Sequence, residues 1–388
     1  GLWGVLGVEV VCVFVNPFRS VYRLCLSLWF EMCAKISWFK MCVSLLDVFF
    51  GFVFFFIISG FLALGFPRHN TLEILQYLQT HFPAPNHTSN PEILSESHTK
   101  VTVESHTDAD SPPYSAYAPL LSRTVSVDTL TSWFQTEPWV WLRAIAGKEQ
   151  QVAKKLEQLE ITLLSKHNGI FAVSAQANLD PITQQGIAYI QDIGSQHAMD
   201  WHYTPLKALC TPDHRIWDCC AGAGGKSITL LQNHPQAHVE CSDIRSNILE
   251  NLQKRFQSLQ LKVPKTRVCN LESEAPSQSY DIVMADVPCS GSGTWRRNPE
   301  NLHFFTAPEI AIYANKQYRI LNNLANTIKT GGYLVYLTCS VFQSENEGNV
   351  HQFLASHPQY QLIEEGFCGG QQEGGDYIYR AVIQKIEG

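Results

Sequence analysis

The sequence predicts an α/β fold: a parallel, doubly wound sheet preceded by a small α+β module. Three observations predict it. From residue 215 onward, strand-length apolar runs alternate with helical patterns, the rhythm of a sheet covered on both faces. A glycine-rich turn in "DCCAGAGGKS" (218–227) joins the first of these strands to its helix. An acidic residue, Asp243, ends the second strand 21 residues beyond Gly222, about where such folds bond a ribose diol.

Taken in order, the chain begins with a hydrophobic segment, residues 1–66. Within it Val48 to Phe66 is an uncharged run of 19 residues, long enough to span a bilayer. Arg19, Arg23, Lys35 and Lys40 precede the run and only Arg68 follows closely, a bias that would place the later domains outside the cell. That conflicts with a cytosolic function, and the chain starts at Gly1, so the segment reads either as an anchor, leaving membrane association open, or as a non-native extension. Residues 67–126 read as a polar, largely disordered linker, rich in Pro, Ser, Thr and His and repeating "ESHT" at Glu96 and Glu104. Its histidines lack the cysteine partners or helical spacing of a metal site.

Residues 127–200 predict the small α+β module, with "PWVWLRAIAG", a helix in "KEQQVAKKLEQLEI" striped by Val152, Leu156 and Leu159, and the strand "GIFAVS". Trp139, Trp141 and Arg143 are spaced either to stack on nucleic-acid bases or to fill the module's core. Residues 201–388 form the main domain, with strands expected at 215–219, 237–243, 265–269, 280–286, 332–338, 360–364 and 376–384. A helix is expected at Ser227–Gln232. A longer one carries Thr306 as N-cap, Pro308 and Glu309 in its first turn, and a stripe of Ile310, Tyr313, Ile320, Leu324 and Ile328 up to Gly331-Gly332.

Composition narrows the function. With 388 residues, 45% hydrophobic, there is ample material for a packed core of more than one domain. The net charge of −7 supplies no overall basic field for nucleic acid, so any such contact must be local. Twelve cysteines without a C-x-x-C pair, and no H-E-x-x-H, argue for reduced thiols in a cytoplasmic protein and against zinc; no metal is expected.

The glycine turn fails both common phosphate fingerprints. A phosphate loop ending at Gly225-Lys226-Ser227 needs glycine where Cys220 stands, and a dinucleotide turn beginning at Gly222 and Gly224 needs glycine where Ser227 stands. A ligand with a ribose and a carboxylate but no phosphate fits, and S-adenosylmethionine is such a ligand, its carboxylate suited to a helix N-terminus. Two further strand ends carry cysteines: "ADVPCSGSG" holds Cys289 three residues after Asp286, and "YLTCSVFQSENE" holds Cys339. A thiolate is needed in methyl transfer when a ring carbon must first be made nucleophilic, as at C5 of a pyrimidine.

Together these stretches resemble the RNA 5-methylcytosine methyltransferases of the Fmu/Sun (RsmB/Nop) family, through "QDIGSQ" at 191, "DCCAGAGGKS" at 218, "DVPCSGSGTWRRNPE" at 286 and "TCSVFQSENE" at 338. The resemblance runs from about Pro138 to the end and implies a Rossmann-like class I methyltransferase sheet with S-adenosylmethionine as cofactor. It departs from the family's Ala-Pro-Gly-Gly-Lys turn at Gly222-Ala223, and has Asn270 where the family often has Asp; the Asn carbonyl can still accept from the adenine amino group. By this resemblance Asp218, Cys220, Ala221, Gly222, Ala223, Gly224, Gly225, Lys226, Asp243, Asn270 and Asp286 line the cofactor site. Cys339 adds to C6 of cytosine, Cys289 assists release, Asp286 bonds the base edge and Lys226 neutralises developing charge. Arg296 and Arg297 are the local basic patch for phosphates, and the α+β module contacts RNA. Ribosomal RNA is the expected partner of a monomer. Transfer RNA, a DNA cytosine enzyme using Cys289, and a non-catalytic RNA-binding assembly factor are the alternatives; DNA itself is not expected.

Overall fold

A computed structural model describes residues 114–387 except 203 and 275, together with a short antiparallel pair of Ile93–Leu94 and Lys100–Val101. The expectations for residues 1–66, and for the linker up to residue 113 outside that pair, lie outside the described residues. Among the described residues no helix is long and apolar enough to cross a membrane.

The module opens with α1 (Val127–Gln135), whose Ser126 cap exchanges hydrogen bonds with Thr129. It continues with β1 (Trp139–Ala144), α2 (Glu149–Gln158), β2 (Leu163–His167), β3 (Ile170–Ser174), β4 (Ala188–Ile190) and α3 (Ile193–Ala198). Its strands form an antiparallel sheet in the order β2-β3-β1-β4. Val152 and Leu156 of α2 pack on Leu142, Phe171 and Val173, as the helical stripe requires. β2 and β4 are absent from the sequence-based reading because β2 is exposed along its length and β4 is three residues long, so neither shows an alternating pattern.

The main domain follows as β5 (Arg215–Asp218), α4 (Gly225–Asn233), β6 (His238–Asp243), α5 (Ser246–Ser258), β7 (Lys265–Val268), β8 (Tyr280–Asp286), α6 (Pro299–Phe304), α7 (Ala307–Leu324), β9 (Ile328–Thr338), α8 (Glu347–Ser356), β10 (Tyr360–Phe367) and β11 (Tyr379–Lys385). The sheet order is β10-β11-β9-β8-β5-β6-β7. β7, β6, β5, β8 and β9 run parallel, and β8, the middle strand of the seven, is fully buried from Ile282 to Ala285, the continuous apolar run of a strand covered on both faces. Alternate residues serve opposite faces: Ile282 and Met284 pack with Leu230, Leu252 and Phe256, while Val283 and Ala285 pack with Ile320, Leu324 and Phe353.

Two expectations change here. The last strand is antiparallel to β9, because β10 returns through a loop rich in left-handed glycines (Gly369, Gly370, Gly374) and not through a crossover helix. Ile328 is not the end of the α7 stripe; it begins β9 and pairs with Tyr280, after a single 3-10 turn at Ala325–Thr327.

Residues 114–126, read as part of the disordered linker, are instead packed. Tyr114, Leu121 and Val125 join Trp133, Phe134, Trp295, Val341, Phe342 and Tyr377 in a third core, and the Ser122 N–H donates to the Val341 carbonyl at 2.8 Å. The polar composition hid three side chains that find partners more than a hundred residues away. Trp133 is central to this cluster, 3% exposed with its indole N–H on the Gly375 carbonyl at 2.8 Å. Trp133→Ala should therefore destabilise the fold by about 3–5 kcal/mol, the usual range for emptying a buried aromatic site. Urea unfolding measures it, and a loss below about 1 kcal/mol would show that this third core contributes little.

Candidate active site

β5 ends at Asp218 and the chain turns through Cys219–Gly224 into α4. Gly222 sits at φ +53°, a left-handed conformation that glycine adopts without strain, and its N–H donates to Asp243 Oδ2 at 3.0 Å. The turn thus touches the end of β6 directly. Burial alone would raise the Asp243 carboxyl, but hydrogen bonds from Arg245 and the Gly222 amide hold it below its ordinary range. Arg245 covers both carboxylate oxygens, at 2.9 and 3.2 Å, from the solvent side. Ile244, between them, is half exposed although apolar.

The N-terminus of α4 is capped by Gly224 with no side-chain acceptor, so its first amides point free of intrahelical partners. Beneath it Asp218 is fully buried; Oδ2 accepts from the Ser227 hydroxyl, while Oδ1 has no hydrogen-bond partner. Burial pushes its pKa up to about 7. These features fit an amino-acid ligand, whose ammonium needs an acceptor and whose carboxylate needs amide donors. On the far side, Asn270 is half-buried, and its side-chain oxygen accepts from the Glu272 N–H at 3.1 Å, leaving one lone pair for a further donor. Cys220 and Ala221 are half-buried in the turn and Ala223 is exposed at its tip.

The second half of the site lies where β8 and β9 end. Lys226 reaches from α4 to Asp286 Oδ2 at 2.7 Å. Burial pulls the Lys226 ammonium down, but the Asp286 carboxylate overrides it and carries the pKa to about 12. Cys289 and Cys339, one in each neighbouring turn, have their sulfurs 3.2 Å apart, and the Cys339 N–H donates to the Cys289 sulfur at 3.3 Å. The Cys289 thiol is held well above its ordinary range, first by its bond to Cys339, then by burial. Gly293 permits this approach of turns: a Cβ there would stand 2.3 Å from the Tyr377 carbonyl and 3.0 Å from that of Cys339.

The structure thus brings together Asp218, Gly222, Lys226, Asp243, Asp286, Cys289 and Cys339 around one crevice. It does not bring Arg296 there. Arg296 is 1% exposed, its guanidinium over the Trp133 ring at 5.1 Å and bonded to the Gly374 carbonyl, so it is a strut of the third core and not a phosphate contact. Two successive arginines in a loop cannot both face solvent when the loop packs on a core. Arg297 is the exposed member, and it is paired with the buried Asp376 at 2.8 Å. Trp141 is likewise core, and Arg143 bonds Gln196 and Asn233. Among the described residues no cluster of His, Cys, Asp or Glu could hold a metal.

Several site residues escaped the sequence reading. Gln191 fixes the α4 N-terminus, donating to the Gly225 carbonyl at 3.2 Å and accepting from Thr229. Asp192 accepts from the Asp376 N–H at 3.1 Å, and burial, then Asp376, pushes it to about 6. The "QDIGSQ" stretch that carried part of the resemblance thus clamps the site from behind. Ile244 had a visible signal, an apolar residue beside a strand-end carboxylate; Gln191 and Glu345 stood inside the quoted "QDIGSQ" and "TCSVFQSENE" stretches, but nothing in local sequence gave either side chain its partners.

Residues 208–382 match the family described as 16S rRNA methyltransferase RsmB/F. Ribosomal RNA small subunit methyltransferase B of Yersinia pseudotuberculosis (serotype O:1b) is 32% identical over 220 residues, 53% of this chain and 49% of that protein, and its Yersinia pestis counterpart (biovar Antiqua, strain Angola) gives the same figures. The chain spans about half the length of the curated relatives it matches. Among solved structures, NSun6 from Pyrococcus horikoshii with SFG has a TM-score of 0.58 at 14% identity, covering 68% of this chain and 94% of that one. A methyltransferase homolog protein from the same organism gives 0.53 at 20%, covering 69% and 93%. These likenesses show the fold, the Rossmann-like class I methyltransferase sheet.

Asp218 gives a pH signature. Its folded pKa of about 7 lies above the ordinary 3.8, so the folded state binds the proton more tightly. Its contribution to stability is full below about pH 4 and is lost as pH rises through 7. Asp218→Asn should remove that loss, stabilising the ligand-free protein at pH 8 by up to about 4 kcal/mol while converging with the parent near pH 4. Denaturant midpoints at the two pH values check it; a variant less stable at pH 8 than at pH 4, relative to the parent, would overturn it.

Proposed function

We propose, from the match of residues 208–382 to the RsmB/F methyltransferase family and from the paired thiols beside a ribose-type site, that this protein methylates C5 of a cytosine in RNA with S-adenosylmethionine. The observation that carries the reading is the 3.2 Å pair of Cys289 and Cys339 facing the Lys226–Asp286 ion pair. Nitrogen or oxygen methylation requires no thiol at all.

When bound, the cofactor supplies an electrophilic methyl group on a sulfonium. Asp243 would accept from the ribose diol in place of Arg245, Ile244 would lie against the adenine face, and Asn270 would accept from its amino group. The free amides of α4 would receive the carboxylate, and Asp218 Oδ1 the ammonium. Cys339, the sulfur whose neighbour is held protonated, would add to C6 of the cytosine, forming a C–S bond and placing the electron pair at C5. Asp286 would hydrogen-bond the base edge, with Lys226 offsetting the charge that spreads into the ring. C5 would then take the methyl group, the donor leaving as its neutral thioether; a water molecule would take the C5 proton as that electron pair restores the C5–C6 double bond and the C–S bond breaks to release Cys339 as a thiolate. Cys289, protonated 3.2 Å away, stands where it can assist that release. Ribosomal RNA is the proposed substrate because the relatives at 32% identity are small-subunit rRNA methyltransferases. Such an enzyme would work in the cytosol as a monomer.

Two measurements test the reading. In calorimetry, S-adenosylmethionine should bind while ATP and NAD do not, and Asp243→Ala should weaken binding about tenfold or more, since a hydrogen bond to a charged group contributes roughly 1.5–3 kcal/mol. ATP binding without methyl-donor binding would refute the cofactor. On ribosomal RNA, Cys339→Ser should abolish both methylation and any covalent complex. Cys289→Ser should transfer the methyl and then stall as a protein–RNA complex that survives a denaturing gel. A trapped complex with Cys339→Ser and none with Cys289→Ser would reverse the two roles.

A further inference from the structure

Glu345 lies in the turn after Cys339 and is fully buried, yet none of the steps above uses it. Its carboxylate collects donors from both cysteine turns. Oε2 accepts from the Ser290 N–H, the amide following Cys289, at 2.9 Å. Oε1 accepts from the hydroxyl of Ser340, the residue following Cys339, at 2.7 Å. A third donor, Gln317 Nε2 of α7, reaches Oε2 at 2.9 Å and also bonds the Pro288 carbonyl at 3.0 Å, so both peptide flanks of Cys289 are tied to this one side chain and its partner. Gln317 is itself fixed by Tyr336 and Asn349. Burial raises the Glu345 carboxyl, and the bonds from Ser290, Ser340 and Gln317 oppose that shift, as expected of a carboxylate kept in the core for its acceptors.

We propose that Glu345 is the positioning residue of the thiol pair: by holding Ser290 and Ser340 on its two oxygens it sets the separation of the Cys289 and Cys339 sulfurs, on which sequential attack and release depend. The proposal rests on the methyltransferase reading for its catalytic consequence and on geometry alone for the sulfur separation. It does not require a negative charge. A glutamine could keep its oxygen on Ser290 and Gln317 and turn its amide toward the Ser340 oxygen, which can accept once the Ser340 hydroxyl proton turns to the Ser290 oxygen and frees a lone pair.

The test reads sulfur separation directly. Phenylarsine oxide bridges two thiols at close range with loss of water, and an adduct in the intact-mass spectrum that Cys289→Ser abolishes reports this pair. Glu345→Ala should weaken that adduct about tenfold or more and lower kcat on RNA about thirtyfold, with KM for S-adenosylmethionine within about threefold, because the cofactor half of the crevice is untouched. Glu345→Gln should keep both readouts within about threefold of the parent. Should Glu345→Ala fail to fold, Ser340→Ala removes the arm to the Cys339 turn, together with the contacts of the Ser340 hydroxyl to Ser290, Ser292 and the Phe342 N–H, and should weaken the arsenical adduct in a folded protein. Retention of the adduct in both alanine variants would overturn the proposal, as would a Glu345→Gln protein as impaired as Glu345→Ala. A parent protein that forms the adduct but methylates no RNA would sink the functional reading and leave the positioning role standing.

Discussion

β5 and β8 are neighbours in the sheet, yet the chain leaves them toward opposite sides, through α4 to β6 on one and through α7 to β9 on the other. That reversal opens a crevice at the carboxyl ends of the strands, and the placement of every reactive group follows from it. β5 supplies Asp218 and the glycine turn, β6 supplies Asp243, β8 leads to Asp286 and Cys289, and β9 leads to Cys339. Register does the rest: Asp286, the last residue of β8, pairs with Leu337 near the end of β9, so the chains turn into adjacent loops, with Cys289 three residues past Asp286 and Cys339 two past Leu337, and the two thiols meet.

A crevice built this way has to bury polar groups, and an unpaired buried polar group costs free energy. The molecule meets this with dense pairing behind the site and leaves exceptions inside it. Behind, Glu345 and Asn346 have their acceptors and donors engaged, Asn346 reaching back to the Ser122 hydroxyl at 2.8 Å and Glu347 accepting from the Arg123 N–H at 2.7 Å. The segment 114–126 therefore closes over the Cys339 turn from outside the sheet, and its packing is part of the site's rigidity. Inside, Asp218 Oδ1 has no partner and the α4 amides are uncapped. The groups left unmet in this region are one buried acceptor oxygen and the uncapped amides of one helix.

What was legible in the sequence follows the same division. The glycine turn, the acidic strand end and the Pro-Cys and Thr-Cys-Ser turns are local patterns, each set by a few consecutive residues, and the strands between them carry their own apolar signature. The fold class and the membership of the crevice could be read from those. Glu345 could not, because its meaning lies in a serine amide 55 residues away and a glutamine 28 residues away. Arg296 was misplaced for the matching reason: a basic pair in a loop looks like a phosphate contact until Trp133 and Gly374 are known to surround one of its members. The linker reading failed over 114–126 because composition averages over a stretch in which Tyr114, Leu121 and Val125 alone decide the outcome.

Asp243 shows how the crevice can be held ready without being locked. Its carboxylate keeps two kinds of partner: the Gly222 amide, part of the rigid turn, and the Arg245 guanidinium, whose side chain is 59% exposed. An ion pair so open to water contributes little, about 0–1 kcal/mol, so a diol that displaces Arg245 gives up little in exchange for a hydrogen bond to a charged acceptor. The Gly222 bond need not break, since a carboxylate offers about four acceptor positions. The strand-end carboxylate is thereby kept ionised and oriented by one partner and shielded by another that can leave, which is the arrangement expected where a ligand must enter a largely preformed site.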